Sequence, residues 1–117
     1  MNLSKKIFAY IKITRPLNVL ITFLVVVVAI LISQSEQLEL YTILLASIAA
    51  SLVAAAGNIV NDIYDIESDK ISHSDRVLVL GLLSKKESWY LYISLNLISV
   101  LIAASLSTIL LIIVLLT

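Results

Sequence analysis

The stretch Gly57 to Lys70, GNIVNDIYDIESDK, follows a long and almost uncharged run. Polar and charged groups in or beside a bilayer are costly and usually mark a function. Wound as one helix at about 100° per residue, Asn58, Asn61, Asp62, Asp65 and Asp69 fall within about 100° of arc. Glu67 points to the opposite side, and Ile59, Val60, Ile63, Tyr64 and Ile66 fill the other faces. The carboxylates therefore stand at i, i+3 and i+7 on one stripe. Close carboxylates with no lysine beside them on the stripe repel one another, and a divalent cation relieves that repulsion. Oxygen-only ligands suit Mg²⁺, which keeps waters and shares one or two carboxylates with substrate phosphates. The amides of Asn58 and Asn61 can donate to phosphate oxygens or accept from metal-bound water. A calcium loop fits poorly, because its ligands sit at positions 1, 3 and 5 with glycine at 6. The plainer alternative is a solvated helix end carrying acids by chance; the alignment of these residues at a membrane boundary favours the metal reading.

The residues that follow add cations: Lys70, Arg76, Lys85 and Lys86. Lys70 and Arg76 are candidates for gripping diphosphate oxygens, arginine in a bidentate manner. Lys85 and Lys86 read better as topology determinants. His73 is the single histidine and reads as a solvated loop residue, since no second histidine exists to build a typical metal site.

The elements that must position these groups are membrane helices. The 117 residues are 61% hydrophobic, well above a soluble domain's usual half. Two glycines and one proline leave room for few loops, and the absence of cysteine excludes disulfides, thiolate metal sites and cysteine nucleophiles. A formal net charge of zero provides no global basic field for nucleic acid. Residues 1–16 mix Lys5, Lys6, Lys12 and Arg15 with Ile7, Phe8, Ile11 and Ile13, as expected for a short amphipathic segment on the membrane surface. Leu17 to Ser33 is the first expected membrane helix. A signal peptide is the competing reading of this start, but the apolar run is long and no A-x-A-like cleavage site follows. QSEQLE is a polar turn without a basic residue. Residues 40–60 form the second helix, whose Ala46, Ser47, Ala49, Ala50, Ser51, Ala54, Ala55, Ala56 and Gly57 permit close packing inside a bundle. Residues 58–88 hold the Asp-rich helix end and one long polar loop. The apolar run from Trp89 exceeds one comfortable span and divides at SLST, giving a third helix over 89–106 and a fourth over 108–117 that ends part-way across the bilayer; one long tilted helix is the alternative. All eight basic residues then lie on one side, so the N-terminus and the 61–88 loop are expected to be cytoplasmic. The expected fold class is all-α, a multi-pass transmembrane helical bundle that is incomplete, with three full membrane helices and the start of a fourth.

Asn61, Asp62, Asp65 and Asp69 in NDIYDIESD resemble the first Asp-rich motif, N-D-x-x-D-x-x-x-D, of the UbiA-type membrane prenyltransferases. RPLN, Arg15 to Asn18, resembles the stretch just before that family's first membrane helix, and GNIVNDIYDIESDKI…DR…G…S is similar to the digeranylgeranylglyceryl phosphate synthase branch. The resemblance covers the whole chain and the N-terminal part of the family's fold, making residues 1–117 the N-terminal part of one prenyltransferase domain. It departs in one loop. Where the family reads D-K-x-N-R-P-x-R-P-x-x-x-G, this chain reads DKISHSDRVLVLG, so Ser72, His73, Ser74 and Val77 replace Asn, Arg, Pro and Pro. The family's second Asp motif does not occur within these residues. The resemblance implies Mg²⁺-dependent transfer of a prenyl group from an allylic prenyl diphosphate to a lipophilic acceptor, a prenylated glycerol phosphate or an aromatic ring. It implies metal ligation by Asn61, Asp65 and Asp69, with Asp62 in catalytic support, and substrate binding by Asn58, Asn61, Lys70 and Arg76. The isolated chain is expected to be inactive. The alternative is a truncated, non-catalytic membrane protein or relic. A transporter or channel subunit would need polar residues within the spans, where Asn96 is nearly alone.

Overall fold

The computed structural model describes residues 1–33 and 38–117. Most of the expected QSEQLE turn therefore lies outside the described residues. Helix α1, Leu3–Ile13, begins with the Asn2 side chain accepting from the Ser4 amide. It ends at Thr14, and after Arg15 the chain bends by 46° into α2, Pro16–Ile32. Proline at the first helical position costs no backbone bond, because that N–H would be unsatisfied anyway. Arg15 itself is left-handed, with φ 55 and ψ 73, and no other described non-glycine residue has a positive φ. A side chain there costs on the order of 1–2 kcal/mol, so the surrounding contacts must hold it.

Helix α3, Leu40–Tyr64, packs against α2 on one side and α5, Lys85–Leu106, on the other. Its small residues make this possible. Ser47, Ala49, Ser51, Ala55 and Ala56 are all buried. Within the bundle Ser99 Oγ donates to the Ala49 carbonyl at 2.8 Å, tying α5 to α3 across the interface. Ser47 and Ser51 turn their hydroxyls back to carbonyls of their own helix, so neither of these buried hydroxyls is stranded. The expected placement of this helix inside a bundle is what the packing produces.

Two boundaries differ from the sequence expectation. Helix α3 runs a turn beyond residue 60, to Tyr64. Helix α5 starts at Lys85 rather than 89, because Ser84 and Glu87 form a reciprocal capping box that satisfies the first amides. At about 1.5 Å per residue the 25 residues of α3 reach ~37 Å, more than the ~30 Å hydrocarbon core, so one end stands clear of it. Helix α6, Thr108–Leu115, follows the break at Ser107, whose backbone is extended and whose hydroxyl caps the Leu110 amide. It packs against α5. Helices α3 and α5 are long and apolar enough to cross a membrane, and the bent pair α1 and α2 makes a third such segment. The exposed Leu, Ile and Val side chains along α2, α5 and α6 match a lipid or helix environment rather than water.

The 61–88 segment is not the open polar loop that its composition suggests. A short helix, α4, Ile66–Ser72, continues from α3, and the chain then folds back over the helix ends. Val77, Leu78 and Leu83 are buried with Ala9 and Ile13 of α1 and Ile59 and Ile63 of α3. Trp89 packs edge-on against Tyr64 and Tyr92 at the margin of this cluster. Val77, which stands where the family pattern has proline, is 2% exposed and is a core residue of the cap. Gly81, at φ +67, supplies the left-handed turn that returns the chain toward α5.

Candidate active site

The Asp-rich segment is not one continuous helix. Asp65 sits at φ −92, ψ 9, which closes α3 and opens α4. Such bridge-region angles suit a short polar side chain that competes with the helix ladder. Backbone bonds still run from Asp65 N to the Asn61 carbonyl at 2.9 Å and from Asp69 N to the Asp65 carbonyl at 2.7 Å, so the stripe is bent rather than broken apart.

Burial divides the five aligned residues. Asp62 and Asp69 are buried, at 3% and 5% exposure, whereas Asn61 and Asp65 are exposed. Asp62 Oδ1 accepts from both Arg15 and Arg76. The expectation that unrelieved carboxylate repulsion defines the stripe therefore needs correcting at Asp62: two guanidinium groups, delivered by the α1–α2 corner and the 73–84 segment, neutralise it. Asn58, one turn earlier on α3, is partly buried and donates from Nδ2 to the Thr14 carbonyl at 2.9 Å. Asn58 and Asp62 thus fasten the bent corner at residues 14–15 to α3, and the strained Arg15 backbone is held between two bonds.

Asp69 faces a different set of partners. Its Oδ1 lies 3.3 Å from His73 Nδ1, and its Oδ2 lies 3.9 Å from Arg76 Nη1. That Oδ2 is buried without a hydrogen-bond partner. A buried carboxylate oxygen left without a bond costs free energy, so the arrangement is one that a cation or a donor completes. Among the described residues no three acidic or histidine side chains gather into a metal cage. Mg²⁺ does not need one, since it keeps waters and takes one or two carboxylates together with phosphate oxygens. The orphaned Asp69 Oδ2 and the exposed Asp65 one turn before it fit that donor set. Lys70 is turned away from these groups. It is exposed and bonds Glu67 Oε1 at 2.8 Å, an i,i+3 surface pair, and does not line the cleft.

Sequence reasoning missed Arg15 and Lys12. Both line a cavity of about 240 Å³ with Asp62, Asp75, Arg76 and Val77. Lys12 Nζ donates to the Asp75 carbonyl at 3.1 Å, which fastens α1 to the 73–84 segment. The available signal was the arginine–proline pair at the head of an apolar run, which composition alone explains as a topology marker.

Lipid-compatible helices whose polar end gathers arginines, carboxylates and amides define an integral membrane protein with a charged cleft at one end of its bundle. The chain belongs to the UbiA prenyltransferase family, whose model matches residues 19–117. Relatives include digeranylgeranylglyceryl phosphate synthase of Saccharolobus solfataricus, 34% identical over 93% of this chain and 39% of that protein. The enzyme of the same name from Thermococcus kodakarensis is 39% identical over 70% of this chain and 30% of its own length. That of Methanosphaera stadtmanae is 32% identical over 80% of this chain and 33% of its own length. The chain thus spans less than half the length of these curated relatives. No solved structure matches it.

Proposed function

We propose that the chain carries the donor-diphosphate half of a prenyl transfer site, working on an allylic prenyl diphosphate and a lipophilic acceptor. Family membership supports the reaction class, and the shared name of the relatives favours a prenylated glycerol phosphate as acceptor. The observation that carries the reading is the buried, unpartnered Oδ2 of Asp69 beside the exposed Asp65 and the Arg76 guanidinium. Asp65 and Asp69, with Asn61, would hold Mg²⁺. The metal would supply neutralising charge for a departing diphosphate. Arg76, 3.9 Å from Asp69 Oδ2, stands where it can donate to diphosphate oxygens beside the metal set. In the transfer the allylic carbon–oxygen bond breaks, pyrophosphate leaves, and the acceptor hydroxyl bonds to the allylic carbon and loses its proton. The apolar helices would keep water from the allylic cation. The eight basic residues on one side favour a cytoplasmic N-terminus and cytoplasmic 61–88 segment, so both substrates would present their charged ends there.

The test is Asp65→Asn in the longest natural form of the protein, assayed for Mg²⁺-dependent release of pyrophosphate from a prenyl diphosphate. Turnover should be abolished, and a wild-type rate in that variant would sink the assignment. The 117 residues alone, purified in detergent, should show no transfer.

A further inference from the structure

By composition His73 is a solvated loop residue, yet the fold sets its ring against the buried Asp69. We infer that His73 Nδ1 is a ligand of the ion held at Asp69, and that this nitrogen makes the site favour a first-row transition cation of the Co²⁺ or Zn²⁺ class over Mg²⁺. The inference rests on the reading of Asp69 as a metal ligand given above. It goes beyond that reading in the donor set and in the ion preferred.

Asp69 lies within α4 and His73 closes that helix, its amide donating to the Asp69 carbonyl at 2.8 Å. One turn therefore separates the two side chains on one face, the i,i+4 spacing at which two helical side chains can chelate one ion. His73 Nδ1 stands 3.3 Å from Asp69 Oδ1. That is long for a hydrogen bond, which ordinarily ends near about 3.2 Å. It is the spacing of two ligands on one cation: with bonds of about 2.1 Å they stand ~3.0 Å apart at a right angle and ~3.4 Å apart at the tetrahedral angle. The other carboxylate oxygen, Asp69 Oδ2, is buried without a hydrogen-bond partner, and Arg76 Nη1 stays 3.9 Å from it. The protein around Asp69 therefore leaves the carboxylate with bonding capacity to give. His73 Nδ1 also lies 3.0 Å from Ser72 Oγ, whose own proton goes to the Ser68 carbonyl, so the serine can only accept there. A neutral imidazole carries its single proton on either nitrogen. With that proton on Nε2, Nδ1 presents a lone pair on the side facing Asp69. The side chain is half-exposed, so the ring can adjust without repacking a core. Mg²⁺ takes oxygen ligands, whereas imidazole suits iron, nickel, copper and zinc, and affinity at nitrogen-bearing sites rises from Mn²⁺ towards Cu²⁺. A single ring nitrogen in the set therefore raises affinity for these ions and not for Mg²⁺. Among the described residues no three acidic or histidine side chains form a cage, so water and phosphate oxygens are left to complete the shell.

The experiment titrates the 117-residue chain, untagged and in detergent micelles, with Co²⁺ and then displaces the ion with Mg²⁺. His73 is the single histidine, so a hyperfine-shifted imidazole N–H signal in the proton NMR spectrum can come from no other residue. One such signal should appear with Co²⁺, and Mg²⁺ should displace the ion only at about tenfold or more the concentration. His73→Gln should erase the signal, weaken Co²⁺ binding about tenfold or more and leave Mg²⁺ binding unchanged. Asp69→Asn should weaken both ions. Circular dichroism checks the fold of each variant, and the shifted signal reports His73 in the parent chain without any substitution. If Co²⁺ and Mg²⁺ bind alike and His73→Gln changes neither, the inference is overturned and the Asp65–Asp69 metal reading stands. A shifted signal that survives Asp69→Asn undiminished marks a lone surface histidine and overturns the inference too. If neither ion binds the folded chain, the inference and the metal reading fall together. If Co²⁺ binds through His73 and Asp69 while Asp65→Asn leaves both ions bound and turnover of the longest natural form intact, the inference stands and the place of Asp65 in the metal set falls.

Discussion

Replacing Asp62 with asparagine keeps the shape of the side chain and removes the charge on which Arg15 and Arg76 converge. Removing one partner of a fully buried ion pair costs about 3–5 kcal/mol, because a charge is left without compensation. Here the cost should be smaller. The two arginine side chains are 31% and 23% exposed and can recover some hydration, and the asparagine oxygen can still accept one of the two bonds. A loss of about 2–3 kcal/mol follows from those discounts. It would appear in reversible unfolding of the chain in mixed micelles, titrated with a denaturing detergent and followed by helical circular dichroism. A double-mutant cycle with Arg76→Gln isolates the contact. The two changes should couple by at least about 1 kcal/mol, since once the carboxylate is gone the second change removes a cation that no longer has a partner. An Asp62→Asn loss below about 0.5 kcal/mol, the range of ordinary surface substitutions, would refute the reasoning. Additivity with Arg76→Gln would do the same.

Ser84→Ala removes the side-chain half of the capping box at the head of α5 and should cost about 1 kcal/mol in the same unfolding assay. Gly81→Ala should also cost about 1 kcal/mol; an added Cβ meets nothing within 4 Å, so any loss measures the left-handed backbone alone, and an unchanged midpoint would contradict φ +67. Ser99→Ala deletes the hydroxyl bond to the Ala49 carbonyl, and a loss of about 0.6 kcal/mol is expected, typical of hydrogen bonds between membrane helices. A Ser99→Ala variant as stable as the parent would mean that the bond adds nothing to the α3–α5 contact.

The all-α membrane architecture was legible because its cause is local in sequence. An apolar run long enough for the hydrocarbon core has few alternatives to a helix, since every backbone group must be satisfied within the segment. The break at Ser107 was legible for a related reason: Ser-Leu-Ser-Thr offers hydroxyls that compete with the ladder and cap the next helix. The Asp-rich stripe was visible as a period, but the period predicted one shared face. Packing changed that: Arg15 and Arg76 cover Asp62, and Asp69 is buried beside Arg76, while Asn61 and Asp65 stay exposed.

The sequence by itself determined that the chain is all-α with helices long and apolar enough to cross a membrane, and that its polar groups gather at one end of them. It could not assign partners. Arg15 meets Asp62 across 47 residues, and Asn58 meets the Thr14 carbonyl across 44. No spacing rule reaches that far, because such contacts depend on the corner between α1 and α2 and on the cap that Val77, Leu78 and Leu83 form over the helix ends. Tertiary structure therefore decided that Asp62 holds two arginines and that Asp69 keeps one buried oxygen free of hydrogen bonds. Helical periodicity can say which residues share a face; only packing brings another segment against that face, and the charge and burial it delivers set what each carboxylate can bind.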